Sequence, residues 1–122
     1  MTVARLYADA DGVTHFGAVE LPLETKDFTP PAPPIDISAF QPAARYAFLT
    51  VAPGWNGIEH PAPVRSLFVF LGGRWEIAVG DGEVRVFGPG ETLLVEDTAG
   101  PGHSTRLLDD APGSALLIQL PD

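Results

Sequence analysis

Apolar and polar residues alternate with a period of two along short stretches of this chain, the spacing expected where one face of a strand is buried and the other is wet. The clearest case is Arg74 to Val79, which puts Trp75, Ile77 and Val79 on one side and Arg74 and Glu76 on the other. Glu83 to Phe87 follows with the same rhythm, and Gly80-Asp81-Gly82 between the two is a hairpin turn. The expected arrangement sends Val84 and Val86 inward with Trp75, Ile77 and Val79, and leaves Glu83 and Arg85 outside. Further strand-like runs are Ala18 to Leu23, Arg45 to Val51, Leu67 to Leu71, Thr92 to Val95, Ser104 to Leu108 and Ser114 to Leu120. Gly88-Pro89-Gly90 and Asp109 to Gly113 mark two more corners. No stretch sustains the i, i+3, i+4 apolar spacing of a long helix, and no internal repeat is visible. The pattern predicts an all-β chain, a sandwich or barrel of short antiparallel strands.

One segment does not fit a ladder. Thr29-Pro30-Pro31-Ala32-Pro33-Pro34 lacks the N–H groups a strand needs and predicts an extended, polyproline-like arm. The expected division is therefore residues 1–36, an N-terminal strand and Pro-rich arm packed on the barrel, and residues 37–122, the barrel itself, as one structural domain. A chain of 122 residues has room for no more.

Composition narrows the chemistry. Apolar residues make up 45% of the chain, with 16 acidic against 7 basic residues, giving a formal charge of −9. That charge repels phosphate backbones and anionic lipid, so neither nucleic acid nor membrane is an expected partner. There is no cysteine, so a metal here needs His, Asp or Glu ligands and a nucleophile must be oxygen or nitrogen. The first residues lack the basic and apolar regions of an export signal, which predicts a cytoplasmic protein.

Two short motifs carry a resemblance. Gly54, His60 and Gly73 fall, without gaps, on the slots of G-x5-H-x-H-x3-E-x6-G, with Ala62 in the second histidine slot and Ser66 in the glutamate slot. Thr98-Ala99-Gly100-Pro101-Gly102-His103 matches P-x-G-x-x-H at Gly100 and His103. Thr98 stands for the proline, Leu107 stands in the later asparagine slot, and the stretch from Gly90 to Thr98 is two residues longer than the pattern. The chain thus resembles the cupin superfamily over about half its length. The resemblance implies a jelly-roll β-barrel, a small-molecule pocket inside it and a homodimer. It also implies a divalent first-row metal held by His60 and His103, with the third ligand unassigned.

The residues leave two readings open. In one, the chain is an enzyme, isomerase, lyase or oxygenase-like, in which His60 and His103 do acid/base or weakly metal-assisted work and Glu96 takes part. Glu59, Asp97, Trp55 and Arg65 then contact substrate, and the carboxylates among them also serve to orient an imidazole or complete a metal site. In the other, it is a ligand-binding or sensory barrel that has lost the metal and does no catalysis, with the histidines hydrogen-bonded in a small polar pocket. His15 is an outside candidate in a surface turn. Arg106, three residues beyond His103, is expected to face away from the pocket, while Phe68, Phe70, Trp75, Ile77, Leu93 and Val95 are expected to fill the barrel.

Overall fold

The alternating runs fold as strands because β-branched and aromatic side chains fit a pleated surface, and the Gly and Pro residues between them stop each ladder. The computed structural model describes residues 1–122. It contains twelve strands and no helix. Six strands form the main sheet, in the spatial order β2 (Thr14–Glu20), β1 (Thr2–Ala8), β10 (Thr92–Val95), β7 (Ser66–Gly72), β12 (Gly113–Gln119) and β5 (Arg45–Val51). All neighbours in it are antiparallel except β1 and β10. A second sheet runs β6 (Asn56–His60), β11 (His103–Leu107), β8 (Trp75–Ala78) and β9 (Val84–Phe87).

The two sheets pack face to face. Leu6, Phe70, Leu93 and Ala115 of the first meet Trp75, Ile77, Phe87 and Leu107 of the second, all at 4% exposure or less. Phe70 is the pivot, with its ring 5.7 Å from that of Trp75 and 5.3 Å from that of Phe87. Burial of each Leu, Ile or Phe among them contributes roughly 1.5–3 kcal/mol of transfer free energy.

Three expectations are revised. No ladder closes on itself: the barrel is realised as two facing sheets with separate edges. One corner shows why, since β6 runs directly into Pro61 and Pro63, which cannot donate to a ladder and so end the pairing there. Second, β9 has the opposite phase to that expected. The register sets Ile77 against Arg85 and Trp75 against Phe87, and residues paired across antiparallel strands share a face. Arg85 and Phe87 therefore lie on the face of Ile77 and Trp75, while Val84 and Val86 are about half exposed. Arg85 manages this by laying its guanidinium 4.6 Å from the Phe16 ring centroid.

Third, the Pro-rich run is no extended arm. It forms the exposed turn of a hairpin, closed by Ala32 N–H donating to the Thr29 carbonyl at 2.9 Å, between β3 (Leu23–Lys26) and β4 (Ile35–Ser38), which pair only with each other. Ahead of it, β1 and β2 belong to the main sheet.

Candidate functional site

Strands β6 and β11 pair so that His60 and His103 stand directly opposite each other, and their ring centroids are 5.4 Å apart. The pairing becomes irregular between His103 and Thr105. What permits the close approach is Gly102, with φ of +85°. A Cβ built there would overlap the backbone of His60 and Pro61, so only glycine lets the chain pass. The segment before it is anchored from below: the buried Thr14 hydroxyl donates to the Gly102 carbonyl at 2.9 Å and accepts from Gly80 N–H at 2.6 Å.

Both imidazoles have one nitrogen committed. His60 Nδ1 lies 2.8 Å from the Ile58 carbonyl, an acceptor, so it carries the proton and leaves Nε2 open. His103 Nδ1 lies 2.6 Å from Asp97 Oδ2. Asp97 is fully buried and His103 is 8% exposed, so the carboxylate orients this ring in a low-dielectric setting and again leaves Nε2 open. Asp97 Oδ1 has no hydrogen-bond partner. Such a group costs free energy in a core, and it concentrates negative charge behind the imidazole.

The two rings sit in the wall of a cavity of about 240 Å³ between the sheets. Aromatic residues Trp55, Phe68, Phe70 and Trp75 line it, along with aliphatic side chains that include Ile77, Leu93 and Val95. The only other polar lining residues are Thr50 and Thr105. His60 and Trp55 are exposed enough to mark the open end, and the Trp55 ring packs against Gly57, where a side chain would collide with it. A separate groove of about 380 Å³ on the outer face of the main sheet, lined by Tyr46, Phe48, Leu116 and Ile118, carries no histidine or carboxylate.

The remaining candidate residues lie elsewhere. Glu59 is exposed and does not line the cavity. Glu96, next to Asp97, is held by Arg5 and by Arg65, whose Nε is 2.7 Å away, and contacts neither imidazole. Burial raises the Glu96 pKa, but the hydrogen bonds from the two arginines outweigh it and the net shift is downward. Arg65 is thereby committed to Glu96 and is absent from the cavity wall. Arg106 faces outward onto Glu76 at 2.7 Å, as alternation requires. His15 lies on β2, clamped between Asp9 at 2.6 Å and Asp81 at 2.8 Å. Its pKa is raised, first by the Asp9 hydrogen bond and then by that from Asp81, and both carboxylates are lowered in turn.

A metal needs more than this arrangement offers. Catalytic zinc takes three protein ligands and non-haem iron(II) two His and a carboxylate. No group of three or more His, Asp or Glu side chains is placed to hold an ion. Ala62 and Ser66, in the two other ligand slots, are buried without donors of that kind, and the Ser66 hydroxyl is used on the Val64 carbonyl. Asp97 is spent on His103. The donor set does not fit the family's metal.

Sequence reasoning passed over Thr14, Thr50, Thr105 and Gly102. Thr105 carried a signal, standing two residues beyond His103 and so on the same face of a regular strand. Thr14 and Thr50 carried none, since their roles depend on segments far away in the chain.

No family model matches this chain, and no curated protein sequence does. Solved structures do. A cupin superfamily protein from Desulfitobacterium hafniense DCB-2 is 21% identical, with 70% of this chain and 73% of that one covered and a TM-score of 0.52. A Cupin 2 conserved barrel domain protein from Salinispora arenicola CNS-205 is 20% identical, covers 83% and 76%, and has a TM-score of 0.51. A domain of Drosophila melanogaster CENP-C is 15% identical, covers 93% and 70%, and has a TM-score of 0.50. At such identities the likeness is one of fold: the chain has a cupin-type fold.

Proposed function

We propose that this cupin-type chain binds a small molecule between its sheets and moves a proton on it, with His103 as the base and His60 as the acid. The observation that supports this is the buried Asp97–His103 pair, set 5.4 Å from a second imidazole in the wall of an apolar cavity. With Nδ1–H directed at Asp97, His103 Nε2 carries the lone pair that accepts a proton from a carbon next to a carbonyl. Asp97 stabilises the imidazolium that results. The electron pair left behind moves onto the carbonyl oxygen. There it takes a proton from Nε2 of a protonated His60, giving the enol; His60 then takes that proton back as His103 returns its own, to the same carbon for exchange or to another carbon of the enol's π system for isomerisation.

The test is deuterium uptake at the carbon next to the carbonyl in D₂O, followed by proton NMR, with 2-tetralone and phenylpyruvate as substrates. Wild type is expected to accelerate uptake on at least one of them. His103→Ala and Asp97→Asn are expected to bring it down by about 10²–10⁴-fold, the range for general base catalysis. Uptake no faster than in buffer, or unchanged in both variants, would reject proton transfer. The non-catalytic reading draws on the same cavity and on the apolar or hydroxyl residues in two ligand slots, and predicts binding with no uptake.

A further inference from the structure

All seven of the protein's cationic side chains are placed, and none of them reaches the cavity. Arg5 and Arg65 hold Glu96, Arg74 holds Asp109, Arg85 holds Glu83, and Arg106 holds Glu76. Lys26 lies by Glu24, and Arg45 donates to Gln119. A ligand carboxylate or phosphate would therefore enter without the guanidinium or ammonium that normally receives it. It would meet instead the buried Asp97 carboxylate behind His103, whose Oδ1 is already unpaired, and the field of a chain with charge −9. Like charges in an apolar, water-poor site repel far more strongly than in water.

The lining points the other way as well. Nine of the thirteen residues around the cavity are apolar and four are neutral or imidazole hydrogen-bonding groups, His60, His103, Thr50 and Thr105. A ligand with its charge buried there would lose its hydration with little in return. The volume of about 240 Å³ falls below the range of roughly 300–1,000 Å³ found for drug-sized ligands. That leaves room for a body of one or two rings against the Trp55, Phe68, Phe70 and Trp75 faces.

Resting on the proton-transfer reading of the same site, we infer that the ligand is an uncharged, mainly apolar molecule of one to two rings. It carries a single hydroxyl, N–H or carbonyl that hydrogen-bonds to the imidazoles. Carboxylates and phosphates are excluded by charge rather than by size, and permanent cations by the hydration they would lose among apolar walls.

Calorimetry on the full chain at pH 8 with three probes of one shape tests this: 2-naphthol, 2-naphthoate and 2-naphthylmethylammonium. The neutral probe is expected to bind at least about tenfold more tightly than either ion, and to shift the imidazole ¹⁵N resonances of His60 and His103. Equal or tighter binding of an ion, no binding of 2-naphthol, or binding that leaves both imidazoles unmoved overturns the inference. Val95→Trp, which fills the cavity, is expected to abolish 2-naphthol binding; the imidazole shifts give the same information in wild type should that variant fail to fold. The two readings fail separately. If 2-naphthol binds as stated but no ketone takes up deuterium, proton transfer is rejected and the ligand class stands. If phenylpyruvate exchanges while 2-naphthol is ignored, the ligand class is rejected and proton transfer stands.

Discussion

Replacing Gly102 by alanine is expected to damage the site more than the fold, and the structure supplies its own control. Gly102 and Gly90 have nearly the same backbone, with φ of +85° and +86°. A non-glycine residue in this region costs about 1–2 kcal/mol whatever surrounds it. Around Gly90 nothing lies within 4 Å of the added carbon, so Gly90→Ala should show that cost alone. At Gly102 the same carbon overlaps the His60 carbonyl and the Pro61 nitrogen. These are backbone atoms of the neighbouring strand and cannot swing aside as a side chain would. To reach ordinary contact, β6 must retreat from β11 by about 1 Å or more. Overpacking of this kind adds about 1–3 kcal/mol, which brings Gly102→Ala to a total of about 2–5 kcal/mol. The retreat also parts the two imidazoles, and a misplacement of about 1 Å can lower a rate about 100-fold. Urea unfolding of both variants measures the first quantity, and deuterium uptake with the imidazole ¹⁵N spectrum measures the second. The reasoning is refuted if the two variants lose equal stability and Gly102→Ala keeps wild-type imidazole shifts and uptake.

Other substitutions probe separate parts of the molecule. Asp97→Asn keeps the shape but puts an amide where the unpaired Oδ1 or the acceptor Oδ2 now lies. It should cost about 1–3 kcal/mol in urea unfolding while removing uptake, and full uptake in a folded variant would contradict the role given to Asp97. His15 has a raised pKa in the fold, so its clamp contributes fully below about pH 6.5 and is lost as pH rises through the higher folded value. Asp9 and Asp81, which are lowered, contribute above their ordinary range near 3.8 and lose that contribution as pH falls through the lower folded values. Thermal midpoints of wild type should therefore fall on going from pH 6 upward, and those of His15→Ala should be flatter over that window; parallel curves would show the clamp to be energetically silent. Phe70→Ala removes the ring shared by both sheets and should cost about 3–5 kcal/mol by urea unfolding, whereas a loss below about 1 kcal/mol would mean that the sheets repack without it.

Strand identity was legible where one face is buried against the other sheet, as in Arg74 to Val79, because burial imposes the period of two. It was illegible in Leu23–Lys26 and Ile35–Ser38, which pair only with each other and have no buried face to pattern. β1 was missed although the local Asp9–Gly12 turn joins it to β2; its other partner, the parallel β10, lies about ninety residues away. His60 and His103 were recognisable from motif spacing because each sits in a strand whose neighbours carry the motif. Which of Glu96 and Asp97 turns inward was not, since adjacent residues of an extended chain point to opposite faces. The choice is made by pairing remote in sequence: Ala62 N–H donates to the Asp97 carbonyl and Glu96 N–H to that of Leu6. The phase of β9 escaped because it depends on how residues pair across the Gly80–Gly82 tip.

The two histidines are held by strands of unequal standing. His103 belongs to β11, which is paired on both sides, by β6 and β8, whereas His60 closes β6, an edge strand of five residues paired only with β11 and largely exposed. Local opening draws on the least paired and least buried segments. The cavity therefore has a fixed wall and a yielding one. Backbone amides of β6 should exchange with solvent well before those of β8 and β11, and a ligand that bridges both imidazoles should slow them. On the proposed reading, arrival and departure of a ligand follow the breathing of one short edge strand, while the base on the neighbouring, doubly paired strand keeps its position throughout.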